Sequence, residues 1–383
     1  MAGCEVVVIG AGMIGASCAY YAARAGLSVT VLDSAGVAGG TTSRGEGNIL
    51  VSDKAPGPEL VLAQESHRLW LEIGEDLGPE TIELDRKGGL VVAATDADLI
   101  RLHDFARGQA AAGVHTRALD DAQVHEAEPF LAPDLPGGVE YPQDLQVQPM
   151  LAAASLLAAA RSLGAQVRTG VEVTGVLVTT SGAVRGVRTT AGEIITGAVV
   201  NAAGTWGGQV SERLGAPVPV LPRRGFVLVS EPLPPIVRHK VYDADYVANV
   251  ASGDAGLETS TVVEGTRAGT VLVGASRERV GFEPTFAPRV LARLARQAVR
   301  LFPVLSGVRM LRAYRGFRPY CPDHLPVIGA DARLPGLLHA CGHEGAGIGL
   351  APATGRMIVD QITGATPTVD PEPYSPNRFA EIR

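Results

Sequence analysis

The segment Glu5-Val6-Val7-Val8-Ile9-Gly10-Ala11-Gly12-Met13-Ile14-Gly15 decides the fold. Glu5 to Gly10 is an apolar run of buried-strand type. Met13 to Ala25 places small and apolar residues at helical spacing, and Ser28 to Asp33 alternates as a second strand. Together they form one βαβ unit. A G-x-G-x-x-G turn between the first strand and the helix, with an acid closing the second strand, is the dinucleotide fingerprint. Gly10 permits the turn, Gly12 lets backbone amides reach a pyrophosphate at the helix N-terminus, and Gly15 allows close helix-to-strand packing. Asp33 is placed to accept hydrogen bonds from ribose hydroxyls.

Outward from this unit the chain runs to 383 residues, 46% hydrophobic and 19% charged, with a formal net charge of -7. That length predicts two to three domains, the apolar content excludes disorder, and the acidity argues against nucleic acid as a partner. The 47 glycines exceed the usual ~7% by a wide margin. The N-terminus has no basic segment and its apolar run is broken by glycines, so no signal peptide is expected. The Ala-rich stretch Met150 to Ala160 is too short to span a membrane. Cysteines at 4, 18, 321 and 341 form neither a disulfide framework nor a zinc pattern, and a cytoplasmic location with reduced thiols is expected.

Further helices are predicted over Gln64 to Leu77, Asp96 to Ala112, Pro149 to Leu163 and Ala287 to Leu301, and a polar, Pro-rich connection over the residues before Pro149. Gln166 to Val178, Ala183 to Thr189 and Glu193 to Asn201 read as a meander, and Pro217 to Phe282 as short β runs. The fold class is α/β (α+β), a Rossmann-type nucleotide domain interwoven with a mostly antiparallel β-sheet substrate domain. The expected division is 1–85, 145–216 and 306–383 for the first, 86–144 and 217–305 for the second.

Two more glycine-rich segments point to FAD rather than NAD. Gly39-Gly40-Thr41-Thr42-Ser43-Arg44-Gly45-Glu46-Gly47-Asn48 follows Asp33, and Cys341-Gly342-His343-Glu344-Gly345-Ala346-Gly347-Ile348-Gly349 comes three hundred residues later. An extended FAD would run its pyrophosphate and ribityl chain along the first and meet the second with its isoalloxazine. Ile348 onward reads as a helix, so the amides of Gly347 to Gly349 are placed to stabilise negative charge at the flavin N1 and O2.

The fingerprint, the G-T-T-S stretch, Asn201-Ala202-Ala203-Gly204-Thr205-Trp206, Gly316-Phe317-Arg318-Pro319, Pro322-Asp323, Pro326-Val327-Ile328-Gly329 and the closing G-H-x-x-x-G-I-x-x-A-P-A-T-G occur in order. The chain resembles the D-amino acid oxidase superfamily of FAD enzymes, nearest the glycine oxidase and sarcosine oxidase group. Gly45 to Lys54 and His343 to Gly349 look most like β subunits of heteromeric hydroxyproline, proline or opine dehydrogenases. The resemblance implies that FAD lies against Gly10, Gly12, Met13, Ile14, Gly15, Asp33 and Ser34. It continues along Thr41, Thr42, Ser43, Gly47 and Asn48, the backbone of Val173, then Ala203, Gly204 and Trp206, and ends at Gly345, Ala346, Gly347, Ile348 and Gly349.

The resemblance assigns the substrate carboxylate to Arg318, whose planar guanidinium grips a carboxylate through two parallel bonds. Tyr242, Tyr246, Asn249 and the strand end Ser276-Arg277-Glu278 are expected to line the pocket, while His239 and His343 read as structural. The family's glycine oxidases carry arginine where Gly345 stands, so one cationic contact is missing here. Monomeric sarcosine oxidases tether flavin through a cysteine near the position of Gly316, so dissociable FAD is expected. The implied reaction is oxidation of the carbon–nitrogen bond of a small or cyclic amino acid by hydride transfer to the flavin. Electrons then pass to a partner subunit bearing flavin or iron–sulfur. A self-sufficient oxidase releasing hydrogen peroxide and a non-catalytic electron-relay subunit are the alternatives.

Overall fold

The structure, a computed structural model, describes residues 3–246 and 253–380. The opening unit folds as read, with strands Val6–Ile9 and Val29–Asp33 around the helix Met13–Arg24. Val6, Val7 and Val8 are buried, as parallel strands covered on both faces require. They form the centre of a six-stranded sheet in the order Val327–Ala330, Leu337–Cys341, Ala198–Asn201, Val6–Ile9, Val29–Asp33, Gln166–Thr169. All neighbours in it are parallel except the first pair. The first helix packs against the helix Pro149–Ser162 and the last helix, Gly347–Thr363.

The second sheet has eight strands and its segments come from the middle of the chain. It runs Met310–Tyr320, Leu221–Ser230, Val271–Arg277, Glu258–Gly265, Lys240–Asp243, Gly89–Val92, Gly137–Tyr141, Arg117–Asp120, antiparallel except where Lys240–Asp243 meets Gly89–Val92. Val290, Leu294, Ala298 and Leu301 of the helix Pro288–Leu301 are buried among Phe226, Val263, Val271 and Val273, covering the face turned from the first domain. The fold is therefore the interwoven α/β arrangement expected. One boundary moves: Met310–Tyr320, expected at the start of the last nucleotide-binding segment, pairs along its length with Leu221–Ser230 in the large sheet.

Other expectations shift in detail. Gln166 to Val178 is two strands, Gln166–Thr169 in the six-stranded sheet and Val173–Val178 in a three-stranded meander, separated at Gly170, whose φ of +70° turns the chain. Glu193 to Asn201 divides likewise into Gly192–Ile195 and Ala198–Asn201. The helix read from Gln64 begins at Pro58. The connection before Pro149 holds a helix (Asp121–Ala127) and three strands, Arg117–Asp120, Gly137–Tyr141 and Leu145–Gln146. Among the described residues no helix is long and apolar enough to cross a membrane.

Candidate active site

The glycine turn works through contact. Gly10 has φ +112°, and a Cβ there would fall within the carbonyl oxygen of Ala202; a Cβ on Gly15 would fall within the carbonyl oxygen of Gly10. The helix start is thereby pressed onto the strand end, opening a shallow trough above Gly10 and Gly12. Asp33 closes the trough. Its Oδ2 accepts from the Ala11 amide at 2.8 Å and its Oδ1 from the Ala35 amide at 2.8 Å, leaving a lone pair on each oxygen for a ligand hydroxyl.

From this trough runs a cavity of about 490 Å³. One end is bounded by Asp33, Ser34, Glu172 and Val173, and the middle by Met13, Ile14, Thr41, Thr42, Ala203, Gly204 and Trp206. The other end is bounded by Gly47, Asn48, Phe317, Arg318, Gly345, Gly347 and Ile348. Residues of all three glycine-rich segments, the last some three hundred residues beyond the others, thus face one space, as the FAD reading requires. The eight-stranded sheet contributes Gly225, Val227 and Gly316 to Pro319. Glu46 and Glu344, to which the sequence reading gave no role, also line it.

The expected residues play different parts. Thr42 Oγ1 accepts from the Met13 amide at 2.9 Å and so caps the first helix, while Thr41 Oγ1 donates to the Phe317 carbonyl at 2.8 Å and ties the two domains together. Ser43 is off the wall, its hydroxyl donating to Gly40. Gly15 acts beneath the wall, and Ala346 and Gly349 border a small side pocket shared with Asn48, Asp53, Lys54 and Tyr246. Tyr246 lines the main cavity, but Tyr242 does not: it is fully buried, its hydroxyl donating to Ser52 and its ring meeting Tyr246 edge-on at 4.9 Å. Asn249 lies outside the described residues.

Arg277 is buried over the Tyr246 ring, and burial with too little compensating charge lowers its pKa. Glu278 pairs with Arg224, and Ser276 donates nothing to the cavity but holds Arg318 through its carbonyl, 2.8 Å from Nη1. His239 lies with Glu128, away from the cavity.

Arg318 is the one cation of Met310–Tyr320 on the cavity wall. Among the described residues no carboxylate lies within ion-pair distance of it, although Arg223 nearby is clamped between Glu258 at 2.9 Å and Glu344 at 2.8 Å. Arg223 therefore fixes the Glu344–Gly345 loop, and Gly345, against the Arg318 stem, has no side chain to crowd it. The last helix follows directly. Pro352 within it has no N–H for the Ile348 carbonyl, and Trp70 Nε1 supplies that donor at 3.1 Å. The first-turn amides from Gly347 onward thus stay aligned at the cavity.

Comparison with known proteins follows this geometry. The description FAD dependent oxidoreductase (DAO) matches residues 5–361. The chain belongs to this family. It is 31% identical to a glycine oxidase of Pseudomonas putida, over 97% of this chain and 98% of that protein. It is 29% identical to hydrogen cyanide synthase subunit HcnC of Pseudomonas aeruginosa, over 98% and 96%. Among solved structures, L-proline dehydrogenase from P. horikoshii superposes with TM-score 0.89 at 25% identity, each chain covered to 98%. Glycine oxidase from Geobacillus kaustophilus gives TM-score 0.87 at 26% identity, over 97% of this chain and 98% of that one. The chain is an oxidoreductase, and its cofactor is FAD.

His343 also lines the FAD cavity. Burial pushes its imidazole down to about 3, and Thr354, whose hydroxyl donates to Leu350, accepts from Nε2 at 3.0 Å. The unfolded chain protonates this ring near 6.5. The folded state's advantage is therefore complete above pH 6.5 and is lost as pH falls toward 3, on the order of several kcal/mol at full protonation. Thermal melts of wild type and His343→Gln across pH 7 to 4 should show a shallower acid slope in the variant. Parallel slopes would show that His343 does not titrate this way.

Proposed function

We propose that the protein oxidises the carbon–nitrogen bond of a small or cyclic secondary amino acid, of proline or hydroxyproline type, to an imine. Arg318 carries the reading: a guanidinium that, among the described residues, has no carboxylate partner and lines the cavity beside Gly345 is ready to bind a substrate carboxylate. Its anchorage on the Ser276 carbonyl fixes the fork, and Gly345 leaves room for a ring where an arginine would fill space. Bound FAD supplies the hydride acceptor. The protein orients the substrate Cα against it by two bonds from Arg318, worth roughly 1.5 to 3 kcal/mol each, and by walls from the large sheet. The six-stranded sheet and its meander serve as the FAD domain and the eight-stranded sheet, with Met310–Tyr320, as the substrate domain.

A cytoplasmic heteromer that passes electrons to a redox partner fits the likeness to a hydrogen cyanide synthase subunit, and the four scattered free cysteines cannot ligate an iron–sulfur centre within this chain. FAD held without a covalent bond fits Cys321, which is fully buried with Val218, Val220, Val327 and Cys341 off the cavity wall. Two measurements on the purified holoprotein test this. Acid precipitation should leave the flavin in the supernatant, and anaerobic mixing with D- and L-proline, hydroxyproline, glycine and sarcosine should bleach the flavin with at least one of them. Slow recovery in air would mark a dehydrogenase and fast recovery an oxidase. Absence of bleaching, with and without co-purified partner, would overturn the catalytic reading.

A further inference from the structure

We infer that Glu46 and Asn48 form the subsite for the substrate's nitrogen, an assignment that rests on the amino-acid reading above. Both line the cavity. The Glu46 side chain is 9% exposed, and its Oε2 is engaged by the Asn48 amide at 3.2 Å and by buried Lys240 at 3.8 Å. Because a carboxylate only accepts, Asn48 must turn its NH₂ to Glu46 and its oxygen away. Among the described residues, Glu46 Oε1 and Asn48 Oδ1 are then two buried acceptors without a donor. Lys240 is held on its other side by Glu264 at 3.4 Å and so keeps the Glu46 carboxylate in place without reaching Oε1.

The placement is set by the same strand that holds Arg318. Glu46 Oε1 rests against Gly274, where any Cβ would displace it, and Ser276, two residues on, holds the guanidinium. The Arg318 fork and the Glu46 carboxylate, both resting against the strand Val271–Arg277, with Asn48 beside Glu46, match an α-amino acid, its carboxylate on Arg318 and its ammonium on Glu46 and Asn48. Two acceptors meet the two N–H bonds of a secondary ammonium, such as that of a cyclic amino acid.

The test uses FAD-loaded protein and two unreactive isosteres lacking a Cα hydrogen, 2-methylproline and 2-methyltetrahydrofuran-2-carboxylate, read as Kd from the perturbed flavin absorbance. Glu46→Gln should weaken 2-methylproline by about tenfold and leave the ether within twofold, since only the former offers N–H donors. Asn48→Ala provides the same comparison if Glu46→Gln does not retain flavin. An equal effect on both ligands, or none on either, would overturn the nitrogen subsite alone. Failure of wild type to bind either ligand would overturn the cyclic amino-acid reading and this inference with it.

Discussion

Arg318→Ala should lower kcat/KM for carboxylate-bearing substrates by about 10² to 10⁴-fold while leaving FAD bound. The range follows from removing two charge-assisted bonds of roughly 1.5 to 3 kcal/mol each. The loss should fall on KM and on kcat together, because the same fork binds the carboxylate and fixes the angle at which Cα meets the flavin. Arg318→Lys should recover part of KM but less of kcat, since a point charge holds the carboxylate without setting its plane. Steady-state kinetics beside the flavin spectrum separates these effects. Unchanged kinetics would remove the assigned role, and loss of flavin would show that Arg318 supports the cofactor instead. The structure argues against the latter: its bond goes to Ser276 in the eight-stranded sheet, not to the glycine loops.

How much of this was written in the sequence depends on how locally each feature is encoded. The opening βαβ unit needs only adjacent residues, so its strands, helix and Asp33 were readable to within a residue or two. Arg117–Asp120 was not, because an edge strand with one inward residue, Leu119, gives no alternation to detect. The early start of the second long helix at Pro58 carries its own signal in Gly57-Pro58-Glu59, a proline at the first helical position followed by an acid. Tyr242 and Tyr246 look alike in sequence. Only the parallel pairing of Lys240–Asp243 with Gly89–Val92 turns Tyr242 into the core and leaves Tyr246 at the wall.

Glu46 shows the deeper limit. Its neighbours Gly45 to Asn48 were visible as a motif, yet what makes its carboxylate notable is Lys240 and Gly274, some two hundred residues away and delivered by strands of the other domain. No local pattern encodes that meeting. The sheet faces also carry a consistent device: Gly225, Gly274 and Gly316 on three neighbouring strands lie under Arg318, Glu46 and Arg44, where any Cβ would collide. Part of the glycine excess therefore marks two kinds of place, loops that face the cavity and a bare patch of sheet on which Arg318, Glu46 and Arg44 rest, beside many ordinary turns.

Gly15→Ala carries the second large effect, on cofactor binding and stability together. Gly15 is in the first turn of the helix Met13–Arg24, and its Cα faces the Gly10 carbonyl with Val8 beside it. A methyl group there cannot be accommodated by a side-chain rotation, because the nearest obstacle, the Gly10 carbonyl, is backbone. The helix must move off the strand, and with it the amides of Gly12 and Met13 that define the trough. That helix packs directly on the last helix, where a Cβ on Gly355 would meet the Ser17 backbone, so the displacement has no slack to absorb it. Overpacking of this kind costs about 1 to 3 kcal/mol or more, enough to lower the apoprotein's melting temperature by several degrees. Misplaced amides should in addition weaken FAD by at least about 100-fold. Titration of apoprotein with FAD beside a thermal melt reads both quantities. Wild-type FAD affinity in a correctly folded Gly15→Ala protein would mean that the trough tolerates a shifted helix, and that the close strand contact serves the core rather than the cofactor.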